Sequence, residues 1–524
     1  MRRTIVVGLD GCSWNVLEPL LESGELPHLA ALRERGAHGV LESTVPFYTG
    51  PAWASFATGV SPAAHGIWDF MMLREDDTLT PASEGDLRRV TYYELLADAG
   101  RPSVLVNLPL DQNGRNGLVV VNSWLTTEEE RRIFPLDRRE RYRAALDAYR
   151  NYPSTFGASL ERHLDDLCSL EQARFALARE LAAREEWEHF FVLFSSTDWL
   201  GHAGTGLFLA GDQRARSAFL RLYAQLDAYI GWLREHEPDA LLVVLSDHGQ
   251  CEETHLAHVN GLLDRLGYVR RLRDRPTEVY SAVRRENVRA AVRVPTALRG
   301  LRSIRPARGA ARLTKRALRG AFGIELVTPE RGLDVDRLLS RAYMPTVASY
   351  AVYTRDCDET DLARIREELA AMELDDGRQG LDGIWTMSEL YGRDPSPPAP
   401  TFVFAPSQGV RPSVAVRTPV VERLPTRGRG AHQRDGVLLL DGPDVAGGEL
   451  ARTALYDLCP TLLWYKGAPV PADGDGRVLY EAFTAEAAAA REYREIEDVS
   501  LTRAAVRTES SAEVERRLAD LGYL

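Results

Sequence analysis

Four separated segments of this 524-residue chain end in side chains suited to holding metal ions and moving a phosphoryl group. IVVGLDG presents Asp10, FVLFSSTDWLGH presents Asp198 and His202, LLVVLSDHG presents Asp247 and His248, and GRGAHQRDG presents His432. Between the first two, PFYTGPAW presents Thr49. Three carboxylates, three imidazoles and one hydroxyl are the ligands and nucleophile that a two-metal phosphoryl-transfer site needs. Carboxylate and imidazole donors together suit Zn2+ or Mn2+ better than Ca2+.

Each segment has a local reading. Asp10 stands where a strand ends, and Gly11 lets the backbone turn sharply behind it; its plainer role is to cap the next helix. Pro51 can open a helix, which puts Thr49 and Gly50 at or just before a helix N-terminus, where positive potential and free N–H groups suit a phosphoryl oxygen. Ser43, Thr44 and Ser55 are competing hydroxyls, but Thr49 alone directly precedes the Gly-Pro start. Asp198 and His202, four apart, share one side of a turn or short helix. Asp247 and His248 would diverge in an extended chain, and a turn at Gly249 is expected to bring both to one ion. His432 lies in a glycine-rich basic stretch that reads as a loop. His255 and His258 could face a third ion if ETHLAHVN were helical, although framing a helix is their plainer role. His65 is expected to support the nucleophile segment.

The elements that must position these groups are legible as patterns. IVVGLD, PSVLVN, GLVVVN, FFVLFSS and LLVVLSD are apolar runs of buried-strand type, and VLLLDG is another. DQRARSAFLRLYAQLDAYIGWLREH has the three- and four-residue apolar spacing of an amphipathic helix. WNVLEPLLESGELPHLAALRERG reads as helical pieces broken near Gly24, and Pro135 to Glu186 as polar and helical. Alternating strand and helix predicts an α/β fold with a doubly wound, mostly parallel sheet, and ligands at its strand ends can converge. The catalytic core is expected at 1–260 and 401–483, with an inserted cap at 261–400 and a helical tail at 484–524. In the insert, SYAVYT, a helix around LARIREELAAMEL, and IWTMSEL suggest a small α+β unit. The stretch from Arg284 to Arg319 carries twelve basic residues and one acid, Glu286.

Composition narrows the class. A formal charge of −12 excludes the basic footprint of a general nucleic-acid binder. Five cysteines with no CxxC pair suggest buried thiols rather than a disulfide framework or zinc cluster, consistent with a cytoplasmic protein. The opening MRRTIVVGLDG has too short an apolar run for a signal peptide, and no segment reaches the roughly 18 apolar residues of a spanning helix.

Taken together, the segments resemble the alkaline phosphatase superfamily, most closely its type I phosphodiesterase/nucleotide pyrophosphatase branch. TVPFYTGPAWASFATGVSPAAHGI (44–67) resembles the branch's nucleophile segment, SDHG and GAHQRDG its later ligand motifs, and DLCPTLLWYKGAPVPADGDGRVL its closing segment. The resemblance covers about 1–260 and 425–483. It implies that Asp10, Thr49, Asp247 and His248 hold one metal, and Asp198, His202 and His432 the other, with two zinc ions as cofactors. It further implies attack by Thr49, a phospho-threonine intermediate, and the Gly50 N–H as oxyanion donor. The implied substrate is a small phosphodiester or pyrophosphate, such as a nucleotide derivative. A phosphomonoesterase or phosphonate hydrolase on the same core is the alternative, and a catalytically idle metal-binding scaffold a third. In one place the chain departs from the branch. Phe70 occupies the position of a phosphoryl-holding Asn after HGI. Asn107 and Asn122 are candidate substitutes, and Trp53, Trp68 and Phe70 could form an apolar or base-stacking wall.

Overall fold

The fold is that of a computed structural model, described for residues 2–110, 117–123, 125, 133–155, 159–271, 335–395, 397–424 and 428–497. In chain order the first half supplies β1 (Thr4–Leu9), α1 (Trp14–Leu21), α2 (Pro27–Arg35), β2 (Ala37–Glu42), α3 (Thr49–Thr58), α4 (Pro62–His65), β3 (Met71–Leu73), β4 (Leu79–Pro81), α5 (Tyr92–Asp98), β5 (Ser103–Val106), β6 (Leu118–Val121), β7 (Ile133–Phe134), α6 (Arg143–Ala148), α7 (Leu160–Arg184), β8 (His189–Phe194), α8 (Ser196–Leu209), α9 (Gln213–His236) and β9 (Leu241–Leu245). The second half adds β10 (Gly249–Glu252), β11 (His255–His258), β12 (Ala342–Tyr343), β13 (Ala351–Thr354), β14 (Leu381–Trp385), β15 (Phe402–Pro406), β16 (Val410–Ser413), β17 (Val421–Arg423), β18 (Gly430–Gln433) and β19 (Asp435–Asp441).

The central sheet has a parallel run, β9-β1-β8-β5-β6, flanked on one side by β19, antiparallel to β9, and then by β2, antiparallel to β19, and on the other side by antiparallel β7. The parallel strands are apolar at nearly every position because both faces are covered. Along β1, Ile5, Val7 and Leu9 join one core with residues of α1, α2, α7 and α9, while Val6 joins a second with α3, α5 and the helix Leu458–Tyr465. The sheet is therefore doubly wound, as the strand–helix alternation predicts. Side chains cap the long helices: the Ser159 hydroxyl accepts from Arg162 N at the start of α7, and the Asp212 carboxylate from Arg214 N and Ala215 N at the start of α9. The expected break near Gly24 separates α1 from α2. No helix among the described residues is long and apolar enough to cross a membrane, and all five cysteines are thiols, four of them buried.

Two expected boundaries move. The strand Phe402–Pro406, expected in the core, pairs with β13 and β14 in the small sheet β12-β13-β15-β14, against which the helix Glu359–Ala370 packs. β11 pairs with β16 and β17, so sheet pairing of the second unit begins at His255 and extends to Arg423. Among the described residues of the tail after Thr484, Ala485–Ala489 is the helical part, and Glu495–Ile496 then returns as a strand against Val470–Pro471. The basic stretch 284–319 and residues 498–524 lie outside the described residues.

At the start of β8, His189 is fully buried, with Thr4 Oγ1 2.8 Å from Nδ1 and the Tyr92 hydroxyl 2.9 Å from Nε2. Burial, then the nearby Lys466 charge, lowers its pKa to about 3. The unfolded imidazole titrates near its ordinary value of about 6.5. A depressed folded pKa means that stability is lost as pH falls below about 6.5, because only the unfolded chain takes up the proton. Between about pH 7.5 and about pH 5.5, His189 should cost the fold about 1.4 kcal/mol. Denaturant unfolding of wild type and His189→Gln at both pH values checks this: the variant's stability should change less by that amount.

Candidate active site

The parallel strands end level with one another, and that alignment builds the site. Leu9 pairs with Phe194, and Gly8 with Leu245, so the residues just beyond β1, β8 and β9 emerge side by side. Asp10 is the first residue past β1. Gly11 then turns the chain at φ +65°, and a Cβ there would meet Asp198 Oδ1 at 2.8 Å. The Gly11 N–H instead donates to Asp247 Oδ1 at 3.2 Å. Past β8 the chain enters α8 at once, where Asp198 and His202 stand one turn apart, with His202 Nε2 3.4 Å from Asp198 Oδ1.

Past β9 the expected turn at Gly249 is absent. Asp247 and His248 form a bend, and Gly249 opens strand β10, antiparallel to β18. Glycine is required there for close approach, since a Cβ would lie 2.0 Å from the Asp435 carbonyl oxygen. His432 is correspondingly on a strand, not a loop. Its pairing with Gln250 stacks its ring on His248 at 3.8 Å between centroids. His432 Nε2 lies 2.9 Å from His202 Nε2 and 3.3 Å from Asp198 Oδ1.

Two ligand groups result. One oxygen or nitrogen from each of Asp198, His202 and His432 lies within 4.8 Å of the others, and the same holds for Asp10, Asp198 and His248. Asp247 completes the second group, its Oδ2 3.4 Å from His248 Nε2. That oxygen is buried and has no hydrogen-bond partner, as expected of an atom shaped to meet a cation. Burial, then repulsion from Asp247 and Asp198, raises Asp10 well above the usual carboxylate range. Burial, with Asp198 adding to it, raises Asp247 to about 7. Burial would also raise Asp198, but His202, His432 and His248 together outweigh it and hold Asp198 low. Burial keeps all three imidazoles neutral, His248 at about 4, which leaves their lone pairs available as metal ligands. The donor set fits divalent cations.

Thr49 is the first residue of α3, 1% exposed. Its hydroxyl is 3.4 Å from Asp10 Oδ1 and 3.3 Å from His248 Nε2. Tyr48, at the cap position, supplies no side-chain cap to the first turn. Two of the competing hydroxyls are engaged elsewhere: Thr44 donates to the Pro46 carbonyl, and Ser55 bonds His65 at 2.9 Å. His65 also accepts from Ile67 N, tying α3 to α4, the supporting role the sequence suggested. His255 and His258 lie on a strand, not a helix, and face separate acids, Asp375 and Glu422.

The candidate substrate contacts divide. Phe70 touches the nucleophile turn, 3.3 Å from where a Gly50 Cβ would stand. Trp53 does not line the site; it is 1% exposed and packs in the second core against Phe56 and Phe191. Trp68 is likewise a buried core residue. Asn107 cannot donate to a phosphoryl oxygen, because its amide nitrogen is spent on the Leu193 carbonyl and Ser195 Oγ. Asn122 is 5% exposed beyond β6, and its carbonyl accepts from Tyr149.

Other contributors were not foreseen. Gln250 donates from Nε2 to Asp198 Oδ1 at 2.6 Å while accepting from Thr205, which fixes that carboxylate; its place two residues after His248 was the available signal. The inserted unit grips the loop that leads into Thr49. The Tyr391 hydroxyl accepts from Val45 N at 2.7 Å and donates to Val45 O at 2.9 Å. Tyr350, at φ +41°, packs edge-on against Phe47 and Tyr48, and Tyr48 lies 4.4 Å from the His432 ring. Thr346 donates to Asp69, next to Phe70. No local pattern marks these three.

Residues 4–318 match the model of the type I phosphodiesterase / nucleotide pyrophosphatase family. The chain is similar to phosphonoacetate hydrolase from Sinorhizobium meliloti 1021, solved with phosphonoformate (17% identity, TM-score 0.51, covering 87% of this chain and 94% of that one). It is also similar to inactive murine ectonucleotide pyrophosphatase / phosphodiesterase 5, bearing a threonine-to-alanine change and bound to AMP (12%, 0.51, covering 91% and 98%). A third similar structure is the alkaline phosphatase PafA (12%, 0.52, covering 92% and 99%). At these identities the structures establish the fold, and the family match establishes the chemistry class. The chain belongs to the type I phosphodiesterase/nucleotide pyrophosphatase family and is a phosphoric ester hydrolase of the alkaline phosphatase superfamily.

Proposed function

We propose that the chain hydrolyses a small phosphodiester or pyrophosphate, such as a nucleotide derivative, by transient phosphorylation of Thr49. The observation that carries this is the Thr49 hydroxyl at the N-terminus of α3, within 3.4 Å of both Asp10 and His248. Asp10, Thr49, Asp247 and His248 would hold one divalent cation, and Asp198, His202 and His432 a second. Zinc is the best match to these donors and manganese the next. When bound, the cations supply charge neutralisation and a lowered hydroxyl pKa at Thr49. Asp198, within reach of both groups, sits between them.

The chain's own residues do the rest. Thr49 Oγ1 attacks phosphorus opposite the leaving oxygen, so the Oγ1–P bond forms as the P–O bond breaks. The Gly50 N–H, in the uncapped first turn of α3, meets the charge developing on a phosphoryl oxygen. Water on the open side then cleaves the threonine phosphate. Gln250 keeps Asp198 in place throughout. Phe70 leaves no asparagine donor beside Gly50, which puts more weight on the backbone amide. The threonine-to-alanine change in the inactive AMP-bound relative is consistent with a threonine in this role.

Thr49→Ala should lower turnover at least roughly a thousandfold while leaving metal content near wild type. Persisting hydrolysis of a nitrophenyl nucleotide diester would refute the nucleophile assignment. Asp247→Asn should lower both activity and metal. Elemental analysis should find about two zinc or manganese ions per chain; fewer than about one would favour a non-catalytic scaffold. Rates on the diester and on nitrophenyl phosphate decide between diesterase and monoesterase.

The grip on Val45 yields a separate test. Tyr391→Phe removes two hydrogen bonds but almost no volume, and it should lower kcat about tenfold with KM and metal content little changed. Steady-state kinetics beside a thermal melt would show whether the effect lies in positioning or in overall stability.

A further inference from the structure

Of the seven groups that make up the site, His202 is the one that reaches the surface. Asp10, Thr49, Asp198, Asp247, His248 and His432 are each 5% exposed or less, whereas the His202 side chain is 21% exposed. A substrate whose phosphorus lies at Thr49 must extend past His202.

Linked to His202 is an arginine set up by a buried acid. His202 Nδ1 lies 3.2 Å from the Gly430 carbonyl, and the adjacent Arg429 carbonyl accepts from Glu253 N at 2.9 Å. The Glu253 side chain, 2% exposed, takes the Nε of Arg411, which lies on β16 opposite Leu256 of β11. Arg411 is 26% exposed at its side chain, and among the described residues its two Nη groups have no hydrogen-bond partner. Glu253 directly follows β10, whose Gln250 pairs with His432 and whose Glu252 pairs with Gly430. Tyr48, the residue before Thr49, lies with its ring 4.4 Å from that of His432.

A guanidinium held by one nitrogen with its fork left open presents two parallel donors to a phosphate or carboxylate. We infer that Arg411, oriented by Glu253, is a specificity residue that binds a second anionic group beyond the scissile phosphorus, so that pyrophosphate-linked substrates are preferred over simple diesters. The inference rests on Thr49 being the attacking group, since that fixes where the phosphorus lies.

The test compares kcat/KM for ADP-ribose, a pyrophosphate, with kcat/KM for bis(4-nitrophenyl) phosphate, which has no second anion. It uses the metal-loaded full chain as wild type, Arg411→Gln and Arg411→Lys. In Arg411→Gln the ratio should fall at least about tenfold, mainly through KM on ADP-ribose, the loss expected from one charge-assisted contact. Arg411→Lys should recover part of that loss, because it restores charge without the fork. An unchanged ratio in Arg411→Gln overturns the inference. Thr49→Ala assayed alongside keeps the two questions apart: if it retains activity, the nucleophile reading fails; if it is inactive while the ratio stays unchanged, only the role of Arg411 fails.

Discussion

Three carboxylates that repel one another are buried at the ends of adjacent strands, and the surroundings offset that repulsion. Taking one unpaired charge out of water costs several kcal/mol even after relaxation, and here Asp10, Asp198 and Asp247 are 2%, 2% and 0% exposed. Three neutral imidazoles, the Gly11 amide and the Gln250 side chain meet some of the carboxylate oxygens, yet one oxygen of Asp247 remains unmet. A pocket built this way is most stable with cations inside it. Cations bound there would relieve that cost and, in the function proposed, supply the field in which the Thr49 hydroxyl becomes a nucleophile.

The alignment of strand ends makes such crowding possible. Five parallel strands sandwiched between helices form a platform whose edge cannot shift without moving both cores. The antiparallel β10–β18 pair then carries His432 back over that edge, and the inserted unit presses the nucleophile loop down from the other side through Tyr350, Tyr391 and Thr346. The insert is thus structural support for the reacting group as well as a wall beside it. Arg411, held by Glu253 on that unit, is the residue inferred to read the rest of the substrate.

Much of this was legible locally. Apolar runs of buried-strand type marked the sheet, three- and four-residue spacing marked α9, and Gly-Pro after Thr49 marked the start of α3. The errors were also local in origin. A glycine after Asp247-His248 suggests a turn, but at Gly249 it serves close approach to the Asp435 backbone within a strand pair. Trp53 had the aromatic face for a wall of the site, yet it packs against Phe56 and Phe191 in the second core. Asn107 had the right chemistry at a strand end, and its donors were already committed to its neighbours.

The sequence alone determined which residues could do the chemistry and which segments would carry them, because side-chain type and hydrophobic periodicity are properties of short stretches. It marked Asp10, Asp198, Asp247 and Thr49 at or near element ends, and the resemblance of its motifs added His432. Only the tertiary structure decided how those groups share space: the level ends of β1, β8 and β9, the pairing of Gln250 with His432, the reach of Tyr391 to Val45, and the hold of Glu253 on Arg411. Each of these joins residues far apart in the chain, and such contacts are set by how sheets and cores pack rather than by any pattern within one segment.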